Sequence, residues 1–411
     1  MTGNVQEFLR ENGFAPAYGD RVAVMRAFDD EARAALAGKP SSLRMLDSCL
    51  PFAPANPACA DPVVVVDAGG TNLRVAAVRF TADGPAFSCL RKSRMPGTDG
   101  TVSADEFHAA IAAEVDAVRA REPSVTGIGY CFSYGCHSLP DGDAELIAWS
   151  KQISVPEVVG QRVGAELVRR LSGGPLPVVV LNDTVATLLA GLSPQGKACP
   201  GQIGFILGTG TNLACVENGT ILNAESGECD KVPRSPCDVA FDATLPDAGA
   251  ALFEKMVAGA YLGGVGRELL KAGARAGLLG CGGLDGLSIS TRDLDAFGAG
   301  GVSSVPALAA ALPPEDVPVA QELARAVFRR AASLTAAHLA AFVRRSAEAG
   351  RSPVRITVDG STYWNARTVD FDGRVRREIA ELVPDVPFEV FRTDEAPMVG
   401  AAVAAAFLRR R

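Results

Sequence analysis

The tetrapeptide Gly-Thr-Asn-Leu occurs twice in this chain, at 70–73 and at 210–213, and each copy lies between two strand-like apolar runs. A match of four residues is within chance for 411 residues, so the informative part is the shared context. Both copies read strand, glycine turn, strand, which is what a duplicated domain leaves behind. A duplication of that kind puts one such turn in each of two lobes.

In the first copy, VVVVDAGGTNLRVAAVRF, an apolar strand ends in Asp67, Gly69 and Gly70 permit positive φ, and Thr71 and Asn72 lead into a second strand. The Walker loop and the Rossmann fingerprint both run from a strand into a helix, so neither describes this turn. Two readings remain open. A tight glycine turn can aim backbone N–H groups and a Thr hydroxyl at a phosphate, with the strand-end acid holding a hydrated Mg²⁺; or it is an ordinary Gly-Gly hairpin with a surface Asp. The second copy, Gly208-Thr209-Gly210-Thr211-Asn212, offers two hydroxyls and several amides. Between the copies, PVVVLNDTVATLLAG delivers Asn182 and Asp183 to the carboxyl end of a buried strand, the edge where open α/β sheets bind ligands. Asp183 is either a helix N-cap or a functional carboxylate.

Composition narrows the partners. A formal charge of −7 with no Lys/Arg run excludes a nucleic-acid footprint and a polybasic membrane patch, which leaves a small-molecule partner. The start, MTGNVQEFLRENGF, lacks a basic segment followed by an apolar run, so a cytoplasmic location is expected. The ten cysteines are scattered without a CxxC pair and far from His108, His137 and His338, which predicts reduced thiols and no structural zinc.

Apolar runs alternate with helical stretches, which predicts an α/β fold. Strands are expected at Val63–Val66, Leu73–Phe80, Gly127–Phe132, Val178–Leu181, Ile203–Leu207, Leu213–Glu217 and Val354–Val358. Helices are expected over 20–37, Ala104–Arg121, Val155–Leu171, Ala250–Ala272, Val317–Ala349 and Pro397–Leu408, with Pro- and Gly-rich connectors around 194–201, 231–249 and 273–303.

Taken together, these segments resemble the eukaryotic-type hexokinases and glucokinases, of the sugar kinase, heat-shock protein 70 and actin superfamily. The resemblance runs from about residue 60 onward. DAGGTNLRV is similar to the family's first phosphate loop and GTGTN to its second, CFSYGC with AWSK to the sugar-binding segment, and LNDT to the strand end with the catalytic aspartate. NAESG at 223–227 resembles a sugar-contacting loop, LFEKMVAGAYLG a sugar-contacting helix, and VDGS at 358–361 the adenosine-side turn.

The resemblance implies a two-lobed actin-like ATPase fold, two ribonuclease H-like domains with a cleft between them. The small lobe would be 61–183 plus 395–411, and the large lobe 1–60 plus 184–394. It implies transfer of a phosphoryl group from ATP, with Mg²⁺, to the 6-hydroxyl of a hexose such as glucose, in a monomer or homodimer. Ser133, Ser150, Lys151, Asn182, Asp183, Asn212, Glu225 and Glu254 would face the sugar, with Asp183 as base and Lys151 offsetting charge. Asp67, Gly70, Thr71, Asn72, Arg74, Thr209, Gly210, Thr211, Asp359, Gly360 and Ser361 would face the nucleotide, with Asp67 on the metal through water.

The chain departs from the family at three places. Ala251 stands where Gln is usual, the segment 227–247 is rebuilt with Pro233 and Pro236, and the late glycine-rich loop is reduced to Pro397-Met398-Val399-Gly400 without its Lys. These departures keep two alternatives in view: a sugar or nucleotide sensor with weak turnover, and a kinase of mannose, fructose or glucosamine.

Overall fold

The computed structural model describes residues 2–52, 61–149, 153–193, 199–282 and 284–408. In chain order its strands are β1 (Leu46–Pro51), β2 (Val63–Ala68), β3 (Asn72–Thr81), β4 (Gly84–Arg94), β5 (Ile128–Phe132), β6 (Gly135–Ser138), β7 (Ala144–Ala148), β8 (Val178–Leu181), β9 (Gly201–Leu207), β10 (Thr211–Glu217), β11 (Thr220–Asn223), β12 (Val354–Asp359) and β13 (Phe388–Phe391). They form a five-stranded sheet, β4-β3-β2-β5-β8, a six-stranded sheet, β1-β11-β10-β9-β12-β13, and the small pair β6-β7.

The two large sheets repeat one pattern. Each has three antiparallel strands followed by two parallel ones: β4-β3-β2 then β5-β8, and β11-β10-β9 then β12-β13. The two Gly-Thr-Asn-Leu copies fall at equivalent hairpins, β2–β3 and β9–β10. The central strands Val63–Ala68 and Ile128–Phe132 are buried throughout, which explains their unbroken apolar runs.

The helix Asp183–Ala190 lies between the sheets and is buried from Thr184 on. One side packs on β9, β10 and β12, and another on the helix Ala396–Leu408, which also covers β2, β5 and β8. The approach on β9 is close: a Cβ at Gly204 would lie 2.5 Å from Thr184 O and 2.4 Å from Leu188 N. Glycine is therefore required where helix and strand backbones meet. The six-stranded sheet carries the larger apolar core, shared with Tyr18–Leu36, Leu262–Arg275 and Val317–Glu348. The helix Ala104–Arg119 covers the opposite face of the five-stranded sheet.

Each predicted strand is present, to within a residue or two at its ends, but several elements differ from expectation. Val155–Leu171 is not one helix: Pro156–Val158 is a 3₁₀ turn, and the α-helix begins only at Val163. Ala250–Ala272 splits into Leu252–Val257 and Leu262–Arg275, because the Gly259 and Ala260 amides bond to Gly208 O (2.8 Å) and Thr209 O (3.0 Å) instead of continuing the helix. The presumed connectors contain helices Pro236–Asp242 and Thr291–Gly298, capped by Ser235 and Ser290. After Gly84 the edge strand β4 alternates half-buried and exposed residues, a period-2 signal the apolar-run criterion passed over. Among the described residues every cysteine is a free thiol, and no helix is long and apolar enough to cross a membrane.

Candidate active site

The strand ends and hairpins described above converge on one region. The Asp67 carboxylate, at the end of β2, feels the charge of Asp183, and Asp359, at the end of β12, feels both. Burial pushes Asp67 and Asp359 above the usual carboxylate range, and the neighbouring negative charges add to the rise. On Asp67 the opposing influence is Arg74, its cross-strand partner, which donates from Nε and NH2 to Asp67 Oδ2 at 2.8 and 2.5 Å. The same guanidinium donates from NH1 to Glu395.

The position of Asp183 settles its structural role. The N-cap is Asn182, whose Oδ1 accepts from Thr184 N at 2.8 Å, so Asp183 is the first helical residue and its carboxylate does not cap. Among the described residues its side chain takes one long contact, from Thr184 Oγ1 at 3.4 Å, and the residue is half-buried. The buried Cys131 thiol lies within the fields of Asp67 and Asp183.

The polar groups of the six-stranded sheet form a relay. Asn212 Nδ2 donates to Asn223 Oδ1 at 2.8 Å, and Asn223 Nδ2 donates to Glu225 Oε1 at 2.6 Å. Asn212 Oδ1 accepts from the amides of Leu213 and Ser226, which fixes the turn carrying Glu225. Burial, then the charge of Asp183, raises Glu225. Glu254 is raised by burial while it accepts from Thr211 N at 2.8 Å and from Tyr261 OH at 3.4 Å. Gly210 makes room for it, since a Cβ there would lie 2.4 Å from Glu254 Oε2. Thus the second glycine turn and the Glu254 helix are one packed unit.

Two clefts flank the VDGS turn. One, of about 750 Å³, is lined by Thr209, Gly259, Thr291, Asp295, Ser361 and Arg367 among others. The other, of about 580 Å³, is lined by Arg74, Asp359, Gly360, Ser361 and Glu395 among others. Gly360 has φ 118°, and a Cβ would meet Leu207 O at 2.2 Å, so only glycine lets β12 pass this close to the second turn. Thr71 and Asn72 are exposed on the first turn, and Gly70 is half-buried. The Thr211 hydroxyl donates to Ile206 O at 2.9 Å. Ser150 and Lys151 lie outside the described residues.

Sequence reasoning passed over three contributors. Asn223 is the middle of the relay, Glu395 is the second partner of Arg74, and the Tyr134 hydroxyl donates to Gly69 O, tying the CFSYGC segment to the first turn. Tyr134 lies inside the quoted motif, but its partner Gly69 is 65 positions away. Glu395 carried no signal, because its partner is 321 positions away.

Two family models, both described as hexokinase, match residues 8–192 and 202–407. Hexokinase-1 of Schizosaccharomyces pombe is 33% identical over 236 residues, 50% of this chain and 48% of that protein. Hexokinase-2 of Rattus norvegicus is 29% identical over 391 residues, 84% of this chain and 42% of that protein. The chain thus spans about half the length of these curated relatives. A glucokinase of Aspergillus niger is 27% identical, with 79% of each chain covered. Among solved structures, a hexokinase from Schistosoma mansoni complexed with glucose superposes with a TM-score of 0.79 at 24% identity, covering 98% of both chains. A second hexokinase crystal structure gives 0.86 at 24% identity, covering 98% of this chain and 99% of its own. The fold is the two-lobed actin-like one, and the chain belongs to the hexokinase family.

Proposed function

We propose that this chain transfers the γ-phosphoryl group of ATP to the 6-hydroxyl of a neutral hexose, with glucose the first candidate. The observation that carries the reading is Asp183. It opens a buried helix between the two sheets, is relieved of capping by Asn182, and its charge acts on both Glu225 of the relay and Asp359 of the cleft. A sugar hydroxyl is a poor nucleophile, and phosphoryl transfer depends on alignment and charge neutralisation. Asp183 would accept the hydroxyl proton as the oxygen attacks. Glu225, Glu254, Asn212 and Asn182, with Ser133, Ser150 and Lys151, would hold the ring hydroxyls. The glycine turns, through Gly70, Thr71, Asn72, Thr209, Gly210 and Thr211, would present amides and hydroxyls to the phosphates, with Asp359, Gly360 and Ser361 on the adenosine side.

The acidic residues fit a divalent cation that arrives with the nucleotide. Asp67 is buried and Asp359 half-buried, and both are raised, each partly by other carboxylates, so added positive charge is favoured there. Among the described residues no group of three or more metal-ligating side chains is preformed, which matches a Mg²⁺ that keeps phosphate and water ligands. When bound, Mg²⁺ would neutralise phosphate charge, with Asp67 holding it through water. In this reading residues 61–183 and 395–411 form the small lobe, and 1–60 and 184–394 the large one.

The test is ADP release with Mg-ATP and glucose, mannose, fructose, glucosamine or N-acetylglucosamine, beside Asp183→Ala. Sugar-dependent turnover that falls at least about a hundredfold in the variant, with sugar binding retained, is the expected result. Sugar binding without turnover in the unaltered chain would instead identify a sensor.

A further inference from the structure

Arg74 has two anionic partners, presented by unrelated elements. Asp67 faces it across the β2–β3 ladder and takes Nε and NH2. Glu395 takes NH1 from the residue before the helix Ala396–Leu408. Glu395 has φ 55°, a left-handed conformation that a non-glycine residue adopts only at an energetic cost. Its side chain is 38% exposed, so packing does not demand it, and among the described residues Arg74 is the partner of its carboxylate. A strained backbone thus holds a half-exposed acid on the guanidinium that lines the cleft with Asp359, Gly360 and Ser361.

A guanidinium edge that binds a carboxylate is the same edge that binds a phosphate, since both acceptors suit its planar fork. The Asp67 side of Arg74 is fixed by strand pairing. The Glu395 side is the one open to exchange. We propose that Glu395 is an internal competitor for the phosphoryl donor: it occupies the NH1 edge of Arg74 in the empty site and yields it to a nucleotide phosphate, so it sets nucleotide affinity without acting on the sugar. This rests on the donor-site reading given above. The competing pair is partly exposed, so its removal should tighten nucleotide binding by about two- to fivefold.

The experiment is calorimetric titration of the full chain with Mg-ADP and, separately, with glucose, for the unaltered protein, Glu395→Gln and Glu395→Gly. Glutamine removes the charge and keeps the backbone strain, whereas glycine removes both. Tighter Mg-ADP binding in both variants with unchanged glucose affinity is the expected result. Equal or weaker Mg-ADP binding in both overturns the competitor role, as does tightening in the glycine variant alone, which would assign the effect to backbone strain. If the unaltered chain binds glucose but no Mg-ADP, the donor-site reading itself fails and this proposal fails with it.

Discussion

His338 is fully buried among Phe28, Phe205, Phe253 and Phe342, and among the described residues neither ring nitrogen has a hydrogen-bond partner. Burial alone lowers it to about 3, so it stays neutral in the folded state near pH 7. The sign of its effect follows: below about pH 6.5 the unfolded chain takes up a proton that the folded chain refuses, so stability is lost as pH falls from there toward 3. His338→Leu removes two orphaned polar atoms and the proton site together. The variant should be more stable by about 1–2 kcal/mol at pH 7 and should lose less on acidification to pH 5. Thermal unfolding of both proteins at the two pH values checks this, and parallel losses would rule His338 out as the cause. At this scale the sequence was informative where a residue type has one use, and silent where partners are distant. Asp183 stood out beside Asn182 at a strand end. The pairing of Arg74 with Glu395 depends on two elements joining over 321 positions, and no local pattern encodes it.

Elements were legible in proportion to how local their cause is. The central strands announced themselves because burial on both faces demands unbroken apolar runs. The split of 250–272 was hidden because the bonds that end the helix come from the second glycine turn, 51 positions from Gly259. The most exacting contact between elements is that of Ala396–Leu408 with its neighbours. A Cβ at Gly400 would lie 1.7 Å from Ala186 O, and a Cβ at Gly129 2.0 Å from Ala401 O. The helix carrying Asp183 therefore rests backbone to backbone on the last helix. Gly400→Ala should force the two apart, with a loss of about 1–3 kcal/mol in stability. Because the displaced helix begins at Asp183, turnover should fall more than nucleotide binding does. Denaturant unfolding and a kcat measurement on the same preparation test the pair of effects, and a stability loss with unchanged kcat would separate the contact from the site.

At the scale of the whole molecule, the repeated sheet order explains why two short glycine turns constrained the fold so strongly. Each turn is the hairpin beside the parallel half of its own sheet, so a duplicated sheet places its two similar hairpins at equivalent positions. The residues proposed for the sugar then come from both sheets: Ser133 follows β5 of one, whereas Asn212 and Glu225 belong to β10 and the turn after β11 of the other. A ligand touching both gains more contacts when the sheets approach, so sugar binding should draw the lobes together and exclude water that would otherwise accept the phosphoryl group. Small-angle scattering at saturating glucose should give a smaller radius of gyration than the empty protein. Asp183→Ala, if it still binds sugar through the remaining groups, should contract as well, because closure depends on ring contacts and not on proton transfer. Superimposable curves with and without glucose would leave the hairpins in fixed positions and require the site to be complete before the sugar arrives.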